Sequence, residues 1–464
     1  MKFRKAHNIH FIGIGGIGMS GIAEVLLNLN YAVTGSDITF SPIIKRLRKL
    51  GGKIAIGHRE TNIKNPDVVV VSSAIDSDNI EVREAIRRKI PVIPRAEMLA
   101  ELMRMKYGIA IAGSHGKTST TSMVATILSR CGFDPTIVIG GKLGILRSSA
   151  KLGKGDFLVA EADESDGSFL KLSPIIAIVT NIDKEHLDYY MNLDEIMNAF
   201  VRFLNRIPFY GVGIICLDDR NIQKIMPRLD RKIVTYGFNE KADLHACNLT
   251  FDQFQSAYTA YLRGKKLGKV TLRVPGRHSI LNSLAALAVG LEFDIEFKKI
   301  AKVLGAFRGA ERRFHLRGEI DSIMVVDDYG HHPTEIISTL ATAKQGWNRR
   351  LVTVFQPHRY TRVSALMDEF AHSFKHTDFL IVTEIYPAGE KPIQGVTGEL
   401  LADRIRRESS HLKDVVYIKK PEEIPPYLMK VVQKKDMVIT LGAGNVWRVG
   451  DAFLKLLAQH KKED

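Results

Sequence analysis

Gly108-Ile109-Ala110-Ile111-Ala112-Gly113-Ser114-His115-Gly116-Lys117-Thr118 decides how this chain is read. Five small and apolar residues make a central strand, and the apolar-faced stretch through Met123 and Val124 makes a helix. The glycine turn between them suits phosphate. Its backbone amides can surround an anion at the helix N-terminus, Lys117 brings charge to the outer phosphates of a nucleotide, and the Thr118 hydroxyl suits Mg²⁺. An ordinary strand-to-helix turn needs neither the lysine nor the second glycine. The full G-x-x-x-x-G-K-[ST] pattern is not met, because Ile111 stands where its first glycine belongs.

Downstream, the strand-like Phe157-Leu158-Val159-Ala160 runs into Glu161-Ala162-Asp163-Glu164-Ser165-Asp166, four acids in six residues. They fall at the C-terminal edge of a strand, where α/β proteins bind ligands and where hard oxygen donors belong if Mg²⁺ does. A solvated turn with a helix N-cap is the alternative. The next strand-like run, Ile175 to Val179, leads into Thr180-Asn181-Ile182-Asp183-Lys184-Glu185-His186-Leu187-Asp188 and brings an imidazole to the same edge. A lone histidine is more often structural, but its acidic neighbours favour a ligand role for His186.

Similar patterns flank this module. The first hundred residues alternate short runs (His10-Phe11-Ile12, Val68 to Val71, Val92-Ile93) with amphipathic stretches, which predicts a parallel, Rossmann-like sheet. Gly13-Ile14-Gly15-Gly16-Ile17-Gly18 fits G-x-G-x-x-G after the first strand, with Asp37 at the distance of a ribose contact. Alone it admits NAD(P), another nucleotide or close helix packing; beside the second module a different diphosphate is favoured. A third α/β set begins at Ile323 to Val326 and continues through Leu351 to Phe355, Phe379 to Val382 and Met437 to Thr440. The expected fold is therefore α/β in three domains: Rossmann-like 1–106, a P-loop-type ATPase domain with a mostly parallel sheet at 107–312, and a Rossmann-like C-terminal domain at 313–464.

Length and composition agree. A chain of 464 residues exceeds one core, and 45% hydrophobic with 25% charged residues is ordinary for a globular protein. The formal charge of +15 is spread along the chain without a basic arm or interleaved aromatics, so nucleotide phosphates explain it better than nucleic acid. No apolar run approaches membrane-spanning length, and the glycines after Ile12 break any signal-peptide core, so a cytoplasmic protein without a membrane partner is expected. Cys131, Cys216 and Cys247 lack metal spacing and read as buried free thiols.

Taken together, Gly113 to Thr118, Glu161, His186, Arg277-His278-Ser279-Ile280-Leu281-Asn282 and Asp327-Asp328-Tyr329-Gly330-His331-His332-Pro333 resemble the Mur ligase family, in order and over nearly the whole chain. Gly13 to Ser20, Glu161 to Asp166 and Gln356-Pro357-His358-Arg359-Tyr360-Thr361-Arg362 sharpen the likeness. The resemblance implies an ATP-dependent ligase, monomeric or homodimeric, that joins L-alanine to the carboxylate of UDP-N-acetylmuramate through an acyl phosphate and releases ADP and phosphate. That is the first amino-acid addition in peptidoglycan precursor synthesis. It implies Mg²⁺, with Mn²⁺ able to replace it, held by Thr118, Glu161 and His186. ATP is implied at Gly113, Ser114, His115, Gly116, Lys117, Thr118, Ser119 and Asn282, and the UDP-sugar at Gly13, Gly15, Gly16, Gly18, Ser36, Asp37, Ser72 and Ser73. Tyr329, His331, Arg359 and Arg362 would face the amino acid, and Lys117, His186, Arg313, Asp328 and His331 would be catalytic.

The chemistry is coherent: a carboxylate is a poor acyl donor until ATP phosphorylates it, and the anionic transfer needs Mg²⁺, Lys and Arg. Arg359 and Arg362, three residues apart on a helix-like stretch, could grip the amino acid's carboxylate bidentately; a solvated basic face is the alternative. Lys117, at the tip of an exposed loop, is expected to matter for turnover and not for stability. Two departures stand out. Ser279 takes a place where the family usually has Asn, and no lysine occurs between Lys184 and Lys224, where some relatives carry a carbamylated lysine that bridges magnesium ions. A sister ligase adding a peptide or another amino acid remains an alternative. So, in another class, does a nucleotide-binding oxidoreductase or sensor module.

Overall fold

Period-two runs of β-branched and small apolar residues, each followed by a glycine or acidic turn and an amphipathic helix, build three separate sheets. The computed structural model describes residues 7–72, 74–143, 148–187, 189–409, 412 and 414–463. In the first sheet five parallel strands lie in the order Lys53–Ile56, Ala32–Asp37, Asn8–Ile12, Val68–Val71, Val92–Pro94. Chain order reverses beside Asn8–Ile12, so the turn at Gly13 and Ser72 at the end of Val68–Val71 meet at a topological switch point, where a crevice opens. Ser73, one of the expected sugar-side residues, lies outside the described residues.

The second sheet has ten strands. Its parallel centre runs Ile233–Gly237, Val212–Cys216, Ile176–Val179, Tyr107–Ala112, Phe157–Glu161, Thr136–Leu143. Ile109, Ala110, Ile111 and Ala112 are all fully buried; small residues alternating with isoleucine let helices pack closely on both faces. One edge is antiparallel: Leu244–Asp252, Gln255–Leu262 and Lys265–Leu272 form a meander, which the sequence reading did not foresee. Exposure alternates along the second half of Leu244–Asp252 and at the end of Lys265–Leu272, as an arm with one solvated face requires.

The third sheet orders six strands as His315–Ile320, Ile323–Asp328, Met437–Leu441, Leu351–Phe355, Phe379–Val382, Val415–Tyr417, with only the first antiparallel. Apolar clusters cover both of its faces. The meander's tip fastens this unit to the centre: the Phe254 ring meets Trp347 edge-on at 4.8 Å, Trp347 stacks on Phe314 at 5.3 Å, and Gln253 N–H donates to the Gly346 carbonyl at 3.2 Å. The first two sheets share one continuous apolar cluster, bridged by Met98, Leu99, Leu102 and Met103 of the Arg95–Arg104 helix. All three cysteines are free, and only Cys216 is buried. Among the described residues no helix is long and apolar enough to cross a membrane.

Candidate active site

The nucleotide turn follows Tyr107–Ala112 and opens the Lys117–Arg130 helix. Gly113 and Gly116 have φ of +122° and +83°, and a Cβ at Gly116 would meet Asn282 Oδ1 at 2.6 Å. Both glycines are therefore required by backbone and by space. The end of the neighbouring Ile176–Val179 strand fixes the turn from the side. Asn181 Oδ1 accepts from His115 N–H at 2.8 Å, Thr180 Oγ1 donates to the His115 carbonyl at 2.6 Å, and Ser114 Oγ accepts from Asp183 N–H at 2.8 Å. Lys117 curls back so that Nζ donates to the Gly113 carbonyl at 2.7 Å and to Glu164 Oε1 at 2.7 Å. Burial opposes its charge, but Glu164, Glu185 and Asp163 outweigh that and raise its pKa.

The expected metal set was Thr118, Glu161 and His186. What lies together is His186 with Glu164 and Glu185, their ligand atoms all within 4.8 Å of one another. His186 Nε2 is 3.6 Å from Glu164 Oε1, and Glu164 Oε2 is buried with no hydrogen-bond partner among the described residues. Burial would raise the Glu185 carboxyl, yet His115, His186, Arg362 and His331 hold it down at about 2, fully ionised at neutral pH. An unsatisfied carboxylate oxygen beside a second ionised carboxylate is a donor set for a hard divalent cation. Glu161, at the end of Phe157–Glu161, lines an adjoining cavity, while Thr118 follows Lys117 in the first turn of the helix.

That adjoining cavity, about 350 Å³, sets Gly16, Gly18 and Ser72 of the first sheet against Lys117, Glu161 and Asp163 of the second. Gly18 leaves room for Arg95, whose Nη2 reaches Asp163 Oδ2 at 3.2 Å and ties the two units together. Asp37 Oδ2 accepts from Gly15 N–H at 2.8 Å, so it organises the turn directly. Ser36 is turned away: its hydroxyl donates to fully buried Glu81 at 2.6 Å, and only its carbonyl serves the turn, accepting from Gly13 and Ile14.

A larger cavity of about 430 Å³ lies on the other side of the nucleotide turn, between the second and third units. Gly116, His115, Ser119 and Asn282 line one wall and Arg313, Asp328 and Glu335 the other. Ser279 also faces it, but its hydroxyl donates to the Pro275 carbonyl at 2.7 Å. Arg313 pairs with Glu335 at 3.0 Å. Asp328 accepts from Phe314 N–H and Gly330 N–H, both at 2.7 Å, so its carboxylate shapes the backbone; burial pushes it up to about 6. His115 links the units. Against burial, Asp183 at 2.9 Å from Nε2 and Glu335 at 3.7 Å from Nδ1 raise it to about 10.

A third cavity, about 280 Å³, holds Arg359 and Arg362 opposite Glu185 and His186. Arg362 Nη2 donates to Glu185 Oε1 at 3.2 Å and Nη1 to the His358 carbonyl at 3.1 Å. The two arginines do not share a helix face as expected. Arg359, at φ +67°, precedes the Tyr360–Ala365 helix, and the chain turns there. His331 stands nearby, its Nε2 3.8 Å from Glu185 Oε1, and burial keeps it neutral with a pKa near 4. Tyr329 is not in this cavity's lining; Arg312 and Arg313 lie over its ring at 5.0 and 5.3 Å.

Arg95, Asp183 and Glu335, together with the roles of Glu164 and Glu185, escaped the sequence reading. Only the acid run 161–166 and the acids before His186 pointed towards any of them.

Three family patterns cover the chain in succession: Mur ligase family, catalytic domain, at residues 8–107; Mur ligase middle domain at 111–290; and Mur ligase, glutamate ligase domain, at 312–444. The chain belongs to the Mur ligase family. It is 57% identical over 455 residues to the UDP-N-acetylmuramate–L-alanine ligase of Geotalea uraniireducens, covering 98% of this chain and 99% of the relative. To the protein of that name in Myxococcus xanthus it is 53% identical, covering 98% and 96%. The crystal structure of UDP-N-acetylmuramate-alanine ligase from Thermotoga maritima superposes with a TM-score of 0.80 at 29% identity, over 98% of this chain and all of that one. A murein peptide ligase from Psychrobacter arcticus shares the fold, with a TM-score of 0.70 at 24% identity.

Proposed function

We propose that this chain is the ATP-dependent ligase that forms an amide between L-alanine and the carboxylate of UDP-N-acetylmuramate, acting in the cytoplasm, with units at 1–106, 107–312 and 313–464. One observation carries the reading beyond its relatives' names: Lys117 stands on the nucleotide turn and also lines the cleft facing Gly16 and Gly18, while the segment that closes the turn, Asn181 to His186, borders the Arg359–Arg362 cavity. Nucleotide, sugar acid and amino acid can thus converge on one edge.

The turn amides and Lys117 bind and orient the transferring phosphoryl group. Thr118, Glu161, Glu164, Glu185 and His186 are the residues that would hold Mg²⁺; when bound, it neutralises charge on the phosphates and the sugar acid. Phosphorylation turns a carboxylate oxygen into a leaving group, and the amine then attacks the acyl carbon and expels phosphate. Arg359 and Arg362 hold the carboxylate of the amino acid. Its ammonium must first lose a proton, and neutral His331 is the acceptor at that edge. The C-terminal unit covers the site and excludes water from the reactive acyl phosphate.

The test labels the carboxylate of UDP-N-acetylmuramate with heavy oxygen, runs one turnover with ATP, Mg²⁺ and L-alanine, and weighs the released phosphate. One labelled oxygen is expected there. Label in AMP, or none in phosphate, overturns the mechanism. ADP release that ignores which amino acid is supplied overturns the substrate assignment.

A further inference from the structure

His115, Asp183 and His332 meet at the flank of the nucleotide turn, and their ligand atoms lie within 4.8 Å of one another. His115 belongs to the nucleotide turn, Asp183 follows the Ile176–Val179 strand, and His332 caps the Pro333–Gly346 helix of the third unit. The cluster therefore exists only where the third unit rests on the second. We propose that these three side chains form a site for a nitrogen-seeking divalent transition ion, with Zn²⁺ the fitting case, distinct from the oxygen-rich place for Mg²⁺ at Glu164 and Glu185.

Distance is the first argument. Asp183 Oδ2 lies 2.9 Å from His115 Nε2 and 3.6 Å from His332 Nδ1. Tetrahedral zinc with bonds near 2.0–2.1 Å puts neighbouring ligand atoms about 3.3 Å apart, between the two values. The two rings lie with their centroids 4.8 Å apart, tilted by 42°.

The second argument is the far nitrogen of each ring. A metal-bound histidine presents one nitrogen to the ion and gives its other N–H to a carboxylate or carbonyl. With Nε2 of His115 as ligand, Nδ1 faces Glu335 Oε1 at 3.7 Å, and Nδ1 is now buried without a hydrogen bond. With Nδ1 of His332 as ligand, Nε2–H already donates to the Lys184 carbonyl at 3.3 Å, leaving the lone pair on Nδ1. Asp183 Oδ1 accepts from Lys184 N–H at 2.8 Å, which orients Oδ2. Three donors compete for the ligand atoms: His115 Nε2–H donates to Asp183 Oδ2 at 2.9 Å and must give up that proton to the ion, Thr334 Oγ1 donates to Asp183 Oδ2 at 2.6 Å, and Thr334 N–H to His332 Nδ1 at 3.3 Å. Imidazoles with one carboxylate select zinc, cobalt or copper over magnesium.

The test titrates the full-length protein with Co²⁺ in excess Mg²⁺, following the visible absorption of four-coordinate cobalt, with Zn²⁺ as competitor. One site is expected. His332→Asn keeps a residue suited to capping the helix but removes the imidazole, and Asp183→Asn removes the anionic oxygen; each should weaken Co²⁺ binding at least about 10-fold. His332→Cys, which restores a ligand, should recover binding with a shifted, thiolate-type spectrum, a rescue that a purely structural role would not give. His186→Asn should leave the site intact. Binding unchanged in both His332→Asn and Asp183→Asn, or abolished by His186→Asn alone, overturns the proposal; so does a wild-type protein showing no four-coordinate cobalt.

Discussion

Lys117→Ala removes a charge that the fold depends on as well as the phosphate site. Nζ lies 2.7 Å from Glu164 Oε1; the lysine side chain is 19% exposed and the glutamate 2%. Truncation leaves the carboxylate buried beside the His186 imidazole, 3.6 Å away. Breaking a buried pair by deleting one partner costs about 3–5 kcal/mol. Partial exposure of Lys117 and the nearby imidazole put this case at the lower end, about 3 kcal/mol. In a cooperative unit the size of the central one, each kcal/mol moves the midpoint by about 2–4 °C, so a loss of roughly 6–12 °C is expected. Glu164→Gln in the same chain removes the orphaned charge and should restore most of that loss. Scanning calorimetry of the ligand-free wild type, single mutants and double mutant completes the cycle. A Lys117→Ala midpoint within about 2 °C of wild type, or a double mutant no more stable than the single, would refute the pairing argument and restore the view of Lys117 as an exposed loop tip.

Glu81, fully buried among His10, Ser36, Asn62 and the Arg59 amide, is held near 2 against the upward push of burial and an ordinary value of 4.5. A depressed carboxyl stabilises the fold above its unfolded value and loses that contribution as pH falls from about 4.5 towards 2, roughly 3 kcal/mol in all. Urea midpoints of the first unit should fall over that window in wild type and much less in Glu81→Gln; parallel curves would contradict the assignment. Arg362→Lys cannot reproduce the fork that reaches the His358 carbonyl and Glu185 together. It should raise the KM for the amino acid about 10-fold or more while leaving that for ATP nearly unchanged, and equal shifts for all substrates would indicate a folding defect. Phe254→Ala, at the joint with Trp347 and Phe314, should destabilise the docking of the third unit by about 2 kcal/mol and red-shift Trp347 emission; unchanged fluorescence would mean that the joint is not formed in solution.

The strands were legible because apolar runs of four to six residues bounded by glycine or acid have few other solutions. Gly113 to Thr118 announced its own chemistry, since a lysine and two left-handed glycines have no purpose in a plain turn. The meander at Leu244–Asp252, Gln255–Leu262 and Lys265–Leu272 was missed because its strands mix polar residues with few large apolar ones, the last carrying three lysines and a glycine. Side-chain direction was harder still. Asp328 and Ser36 carry the right chemistry at the right place in the chain, yet one is engaged with two backbone amides and the other with Glu81. Arg359 and Arg362 share a cavity because of the turn before their helix, not because of helical spacing.

What sequence spacing could not express is the number of sites meeting at Asn181 to His186. Asn181 and Asp183 hold the nucleotide turn through partners 66 to 69 residues away, Asp183 accepts from Thr334 at a separation of 151, and Glu185 accepts from Arg362 at 177. His186 reaches Glu164, which in turn pairs with Lys117. Lifting the third unit away would break the contacts of Thr334 and Arg362 in one motion, and would leave Glu185 without the guanidinium that helps keep it ionised. The amino-acid cavity would open at the same moment as the nucleotide cavity lost its wall of Arg313 and Glu335. If the cavities serve as proposed, a single rigid rotation would couple admission of the amino acid to completion of the phosphate site, disfavouring transfer of the activated acyl group to water before the amine is in place.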